Sequence, residues 1–193
     1  MQVTSRTRYS AVAQSFHWLT AIVVLIAFIF GPGGPEDRVY SAAVDADRRL
    51  HETLGLIVIA LTVLRVLWKL FDQRPAAVPA ARWMQLSARA VQGLLYLLLF
   101  AVPFSAIAGA WLAGHPLTLL GGIDVPSWLG REAHDPGVTL AELHGWLGDA
   151  ILWLAGLHAV AAIYHHAFLR DGVLVSMLPN RFVSPPSLAP KQR

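Results

Sequence analysis

LHGWLGDAILWLAGLHAVAAIYHHAFLRDG, running from Leu143 to Gly172, holds a pattern from which the rest of the chain can be read. Between Asp149 and Arg170 it has 20 residues without a charge, and about 20 apolar residues are what a helix needs to cross about 30 Å of hydrocarbon. His158 lies inside that run and His144 at its head. The two are 14 residues apart. At 100° per residue this is about 40° short of four turns, so both rings share one face and are separated by about 21 Å along the axis. An ionisable side chain inside a membrane span is costly, and it marks a functional site by default.

The same spacing of charges recurs upstream. There are 27 uncharged residues between Arg8 and Glu36, and 34 between Arg89 and Asp124. The expected spans are residues 11–30, 50–71, 88–113 and 140–169. The second is interrupted by Arg65 and Lys69 in its latter half. Residues 114–139, bearing Gly and Pro, are expected to form an outer cap. The first span is too long for a signal-peptide core, and Phe28-Ile29-Phe30 offers no small-residue cleavage site, so it is expected to be retained. Gly31-Pro32-Gly33-Gly34-Pro35, Pro75 and Pro79 break the chain between spans, and Pro103 with Gly109 suggests a kink in the third. No internal repeat is present, and one domain, residues 1–193, is the simplest account. The fold class expected is an all-α membrane protein, a four-transmembrane-helix bundle.

Composition agrees. Of 193 residues, 55% are hydrophobic and 14% charged, against about a quarter charged in soluble domains, so a soluble, disordered or nucleic-acid-binding protein is excluded. Cysteine is absent, which removes disulfides, thiolate metal sites, iron–sulfur clusters and covalent haem attachment.

Lys and Arg set the direction. Ten of them fall on the side of the termini: Arg6, Arg8, Lys69, Arg74, Arg82, Arg89, Arg170, Arg181, Lys191 and Arg193. Four (Arg38, Arg48, Arg49, Arg131) fall on the other. Both termini are therefore expected in the cytoplasm. Topology then pairs the histidines by depth: His17 with His158 on the cytoplasmic side, and His51 with His144 near the outer face. Two pairs on facing helices are what a bundle holding two bis-histidine haems requires.

Each of these histidines has a small residue four positions on, one turn along the same face: Ala21, Gly55, Gly148 and Ala162. A flat porphyrin lying against the backbone accounts for them, as does close helix packing. Arg65 lies 14 residues after His51, on the same face and about 21 Å deeper, where a haem propionate could partner it and where it could also snorkel to the headgroups. His165, seven residues after His158, competes with it by face and depth. Zinc fits less well, with two histidines at each depth. Glu52, Glu142 and Asp149 gather near the outer pair and read as solvated helix ends. Trp18, Trp68, Trp111, Trp128 and Trp146 fit an interfacial belt, and His115, His134 and His166 fit surface roles.

At these residues the sequence resembles the bacterial cytochrome b561 family of inner-membrane dihaem proteins. The matching stretches are Arg8-Tyr9-Ser10 leading to His17-Trp18-Leu19, the run HETLGLIVIALTVLRVLWKL from His51 to Leu70, and Leu143 to Pro179 with its closing HH…RDG…MLP. The resemblance implies haem b as the cofactor, ligated by His17, His51, His144 and His158, and so favours His158 over His165. It also implies ubiquinone at a cytoplasmic-side site near His17/His158, with His165 and Arg82 carried over to it. Some members pass electrons from superoxide to quinone; others are known only as electron carriers.

Three functions are carried forward: a quinone-linked dihaem oxidoreductase, an electron-transfer subunit for a partner dehydrogenase docking outside, and a haem-free membrane metal-binding or transport protein. The outer loops hold seven acidic residues against four basic ones, which argues against superoxide. Arg48 and Arg49, one turn before His51, are expected to supply a local basic spot.

Overall fold

The computed structural model describes residues 7–73, 75, 80–128 and 133–179. Arg6, Arg74, Pro79, Arg131, Arg181, Lys191 and Arg193 of the expectations above lie outside the described residues. Four helices are long and apolar enough to cross a membrane, and they form the bundle: α1 (Ala11–Ile29), α3 (Asp45–Phe71), α4 (Arg82–Leu112) and α5 (His134–Tyr164). Short α2 (Glu36–Val39) and a 3-10 turn (Ala42–Val44) join α1 to α3; a π turn (His165–Leu169) and short α6 (Val173–Ser176) follow α5.

Three helices overrun the expected spans. α3 begins five residues earlier than expected, at Asp45, because Asp45 and Asp47 occupy its first turn, where acidic groups favour a helix N-terminus. α4 begins at Arg82 and α5 at His134, so each extends six residues past its apolar run. A count of uncharged residues measures the membrane, and these helices project beyond it. The cap is accordingly shorter than 114–139. It also holds what an all-α reading omits, an antiparallel hairpin of β1 (Leu117–Thr118) and β2 (Asp124–Val125), with Leu117 opposite Val125. Strands of two residues leave no alternation to detect. Gly121 and Gly122 turn the hairpin with φ of +85° and +76°, values that only glycine adopts freely.

The closest packing joins α1 to α3 and α4 to α5. Ser10 starts α1 and ties it to the far end of α3: its Oγ accepts the Ala13 N–H and the Trp68 Nε1–H, each at 3.3 Å, and donates to Asp72 Oδ2 at 2.6 Å. α4 and α5 touch backbone to backbone at the cap end. A Cβ on Gly137 would lie 2.4 Å from Ala113 N and 2.9 Å from Gly109 O, so only glycine fits. Between the two hairpins Val23, Val58, Leu61, Leu98, Leu99 and Ile151 form a buried layer. Thr62 is completely buried beside it and returns its hydroxyl to Val58 O at 2.7 Å. Ile22, Leu25, Leu64, Leu97, Trp153 and Leu157 face outward, as lipid-facing residues do.

Candidate functional site

The structure brings the histidines together in the two pairs expected from depth. His51 on α3 and His144 on α5 lie 5.7 Å apart between ring centroids, and His17 on α1 and His158 on α5 lie 6.4 Å apart. Against α1 and α3, α5 makes little backbone contact compared with its packing on α4; the facing is done by side chains.

The outer pair is oriented by backbone. His51 Nδ1–H donates to Ala27 O at 2.7 Å, and His144 Nδ1–H donates to Val102 O at 2.9 Å. A carbonyl can only accept, so both rings carry hydrogen on Nδ1 and keep Nε2 as a lone-pair donor. A metal-ligating imidazole needs that arrangement. The carbonyl on α4 sits next to Pro103, which lies inside the helix and has no N–H to return to Leu99 O.

The inner pair is held differently. Arg65 Nη2 donates to His17 Nδ1 at 3.3 Å, and its guanidinium lies over the Tyr96 ring at 5.3 Å, with Lys69 Nζ 4.6 Å from the same ring. The depth expected for Arg65 is the depth at which it is found. Tyr96 as its neighbour left no signal in the sequence.

Whether these residues suit a bound metal within a flat ring can be judged from the donors and the space. Two imidazole-to-metal bonds of about 2 Å each, with the ring radii added, span roughly 6 Å, close to both centroid separations. A Cβ placed on Gly55 or Gly148 meets nothing within 4 Å, so each glycine borders open space one turn from a histidine. Among the described residues no three His, Cys, Asp or Glu gather as a metal cage. The donor set fits haem iron better than zinc.

Such pairs are the ligand arrangement expected of a membrane cytochrome, and membrane cytochromes are what the chain resembles. The prokaryotic cytochrome b561 family matches residues 8–180. The chain belongs to this family. Cytochrome b561 homolog 2 of Escherichia coli K12 is 33% identical over 175 residues, covering 89% of this chain and 91% of that one. A protein of Yersinia pestis named probable superoxide oxidase CybB is 29% identical, covering 90% and 97%. Cytochrome b562 of Cereibacter sphaeroides is 28% identical, covering 93% and 100%. This cytochrome b561 family member is thus a multi-pass membrane electron-transfer protein, and its family implies b-type haem.

Around the outer pair of this cytochrome the expected basic spot is absent as a free charge. Arg48 reaches Asp45 at 2.5 Å and Glu52 at 2.9 Å, and Arg49 reaches Asp45 at 2.6 Å. Two cations and two anions cancel, with Arg48 buried among them. Helical spacing of i, i+3 and i, i+4 makes these pairs, which a count of basic residues alone overlooks. Glu52 also accepts Thr118 N–H at 2.6 Å, so it anchors the hairpin and is not a solvated helix end. Further out, His115 stacks on Tyr40 at 3.5 Å and meets Glu36 at 2.5 Å, and His134 approaches the other Glu36 oxygen at 3.5 Å. Burial, together with Glu52 and Glu36 and against the pull of Arg48, pushes the Tyr40 phenol up to about 12.

At the opposite end, His165 Nδ1–H donates to Asp171 Oδ2 at 2.5 Å. Burial disfavours the Asp171 carboxylate, but hydrogen bonds from His165 and the Val173 N–H outweigh it and hold the pKa below the usual range. Arg82 stands exposed on the first turn of α4. A groove of about 540 Å³ opens beside α1, lined by Ala11, Gln14, Trp18, Ile22, Leu178 and Pro179 among others.

Proposed function

We propose that this chain is a single dihaem unit of the bacterial inner membrane, with both termini in the cytoplasm, that carries electrons between a donor at its outer face and the membrane quinone pool. The observation that carries the proposal is the pairing of His17 with His158 and of His51 with His144 across the bundle. His17 and His158 would hold one haem b, His51 and His144 the other, with Gly55 and Gly148 giving room to the rings. Haem b with both axial positions filled supplies reversible one-electron transfer and has no open position for a substrate.

The residues divide the remaining work. Ala27 O and Val102 O fix the tautomer and plane of the outer ligands. At the inner pair, a neutral His17 giving Nε2 to a metal carries its hydrogen on Nδ1 and cannot also accept from Arg65. Arg65 is half-buried within the span, and once freed from His17 its guanidinium would suit an anion such as a haem propionate, which accepts forked hydrogen bonds. On the cytoplasmic side, His165 and Arg82 are the groups proposed to meet ubiquinone.

Neutralised Arg48 and Arg49, with an excess of acidic residues in the outer loops, favour a redox partner with a basic face over a small anion such as superoxide. Superoxide comes into the proposal through the name of the Yersinia relative.

The test is a reduced-minus-oxidised visible spectrum of the detergent-purified protein with a haem count. About two b-type haems per chain are expected from two bis-histidine sites. Protein purified without haem would overturn the proposal and leave the haem-free metal-binding or transport reading. Quinone reduction driven by superoxide with the purified protein alone would assign that donor; its absence would assign a partner protein.

A further inference from the structure

α5 ends in the π turn His165–Leu169, and Arg170 then adopts left-handed backbone with φ +52°. That reversal returns Asp171 to His165, and both side chains of the resulting 2.5 Å hydrogen bond are about four-fifths buried, at 20% and 18% exposure. The other carboxylate oxygen, Oδ1, accepts the Val173 N–H at 3.0 Å and so starts α6. α6 gives its Ser176 carbonyl to the Tyr9 N–H at 3.1 Å and to Gln14 Nε2 at 3.2 Å. One carboxylate thus holds both an imidazole and the short helix that closes on α1.

Starting α6 requires one oxygen. The second is committed to a histidine, in a turn type that is frequent at functional sites. A carboxylate on Nδ1–H fixes an imidazole in one tautomer and stabilises its protonated form, which is how a general acid–base histidine is prepared. We propose that Asp171 is the positioning residue for proton exchange with quinone, holding His165 so that Nε2 is the nitrogen that gives and takes the proton. The inference rests on the reading above that quinone binds beside His165.

The balance is simple. Quinone becomes quinol by taking up two electrons, supplied by the donor through the protein, and two protons. In each exchange an N–H bond at Nε2 breaks as an O–H bond forms on quinone, and cytoplasmic water then returns a proton to the ring. Asp171 feels the charge of His166 besides that of His165; Arg170 adjoins it, Tyr164 precedes His165 on α5, and α6 (Val173–Ser176) contributes no ionisable group.

The experiment mixes reduced holoprotein with a short-chain ubiquinone across a pH range, and separately with ferricyanide, which accepts electrons without protons. Asp171→Asn is expected to slow the quinone reaction about 10–100-fold, within the range of general acid–base effects. It should move the pH limb of the quinone reaction, because the imidazole loses the carboxylate on Nδ1. Ferricyanide oxidation and the visible spectrum should stay unchanged. Asp171→Glu, which keeps the charge, should hold the limb near its original pH. His165→Gln should lose as much as Asp171→Asn, and the double variant little more, because the two act as one unit.

Wild-type quinone kinetics in Asp171→Asn with an unmoved limb would overturn the role of Asp171 while leaving the quinone site standing. Equal slowing toward ferricyanide, or a disturbed spectrum, would make Asp171 structural and overturn it as well. Wild-type quinone kinetics in His165→Gln would instead overturn the placement of quinone, and no quinone reaction in the parent protein would overturn the functional proposal itself.

Discussion

His51 and His144 stand 5.7 Å apart, and each ring is turned by a carbonyl belonging to a helix other than its own, Ala27 on α1 and Val102 on α4. Among the described residues no carbonyl supports the inner pair in this way: His17 is engaged by Arg65, and its ring lies 6.4 Å from that of His158. The outer site is therefore set before a metal arrives, whereas the inner one must first exchange a hydrogen bond.

Each histidine should be worth one haem together with its partner. His51→Ala and His144→Ala are expected to give the same product, a protein with about one haem per chain, since a single imidazole holds haem poorly. His17→Ala and His158→Ala should match one another likewise. Haem counts on the four purified variants check the pairing, and any within-pair difference as large as a whole haem would refute it.

Arg65 should tune the inner haem alone. A unit charge taken at about 10 Å, with an effective dielectric of about 20, would amount to about 1–2 kcal/mol, or roughly 40–80 mV for a one-electron couple. Arg65→Gln is expected to lower one of two potentials by that order in a redox titration. A shift shared equally by both would contradict its assignment to the inner site.

Two glycines on α5 should respond in opposite ways. Gly137→Ala drives a methyl into Ala113 N and Gly109 O, and overpacking costs about 1–3 kcal/mol, or a melting temperature lower by about 5 °C. Gly148→Ala has open space and gains about 0.5–1 kcal/mol of helix propensity, so the fold should hold or strengthen while haem content falls. Thermal unfolding and haem counts on the same samples read both effects.

The cap should loosen in alkali. The Tyr40 phenol has a folded pKa raised from 10.0 to about 12, so the unfolded chain releases this proton first. The stability from keeping the phenol neutral is complete below about pH 10 and disappears as pH rises through about 12. The protein should show a late tyrosinate absorbance step that Tyr40→Phe abolishes.

Much of this was legible in the chain because charge is excluded from hydrocarbon and a helix turns by a fixed angle. Those two constraints alone placed His144 and His158 on one face and matched each with a partner of equal depth. They also set Arg65 beside His17. What they could not supply comes from contacts that side-chain chemistry does not encode. Ala27 and Val102 act through their carbonyls, which every residue possesses. Arg48 and Arg49 counted as free charge until Asp45 proved to lie within the same helix. Asp171 sits six residues beyond His165, and only the left-handed backbone at Arg170 returns it to that ring.

The close pairs α1/α3 and α4/α5 give the histidine placement a consequence for biogenesis. Each pair of rings takes one member from either hairpin, His17 and His51 from the first, His158 and His144 from the second. A metal seated between them would act as a cross-link across the seam, in two rungs. The hairpins could then enter the bilayer one after the other as the ribosome releases them, with their final docking awaiting delivery of the cofactor. Coexpressed as separate polypeptides cut between α3 and α4, they should copurify when haem supply is ample and separate when it is starved.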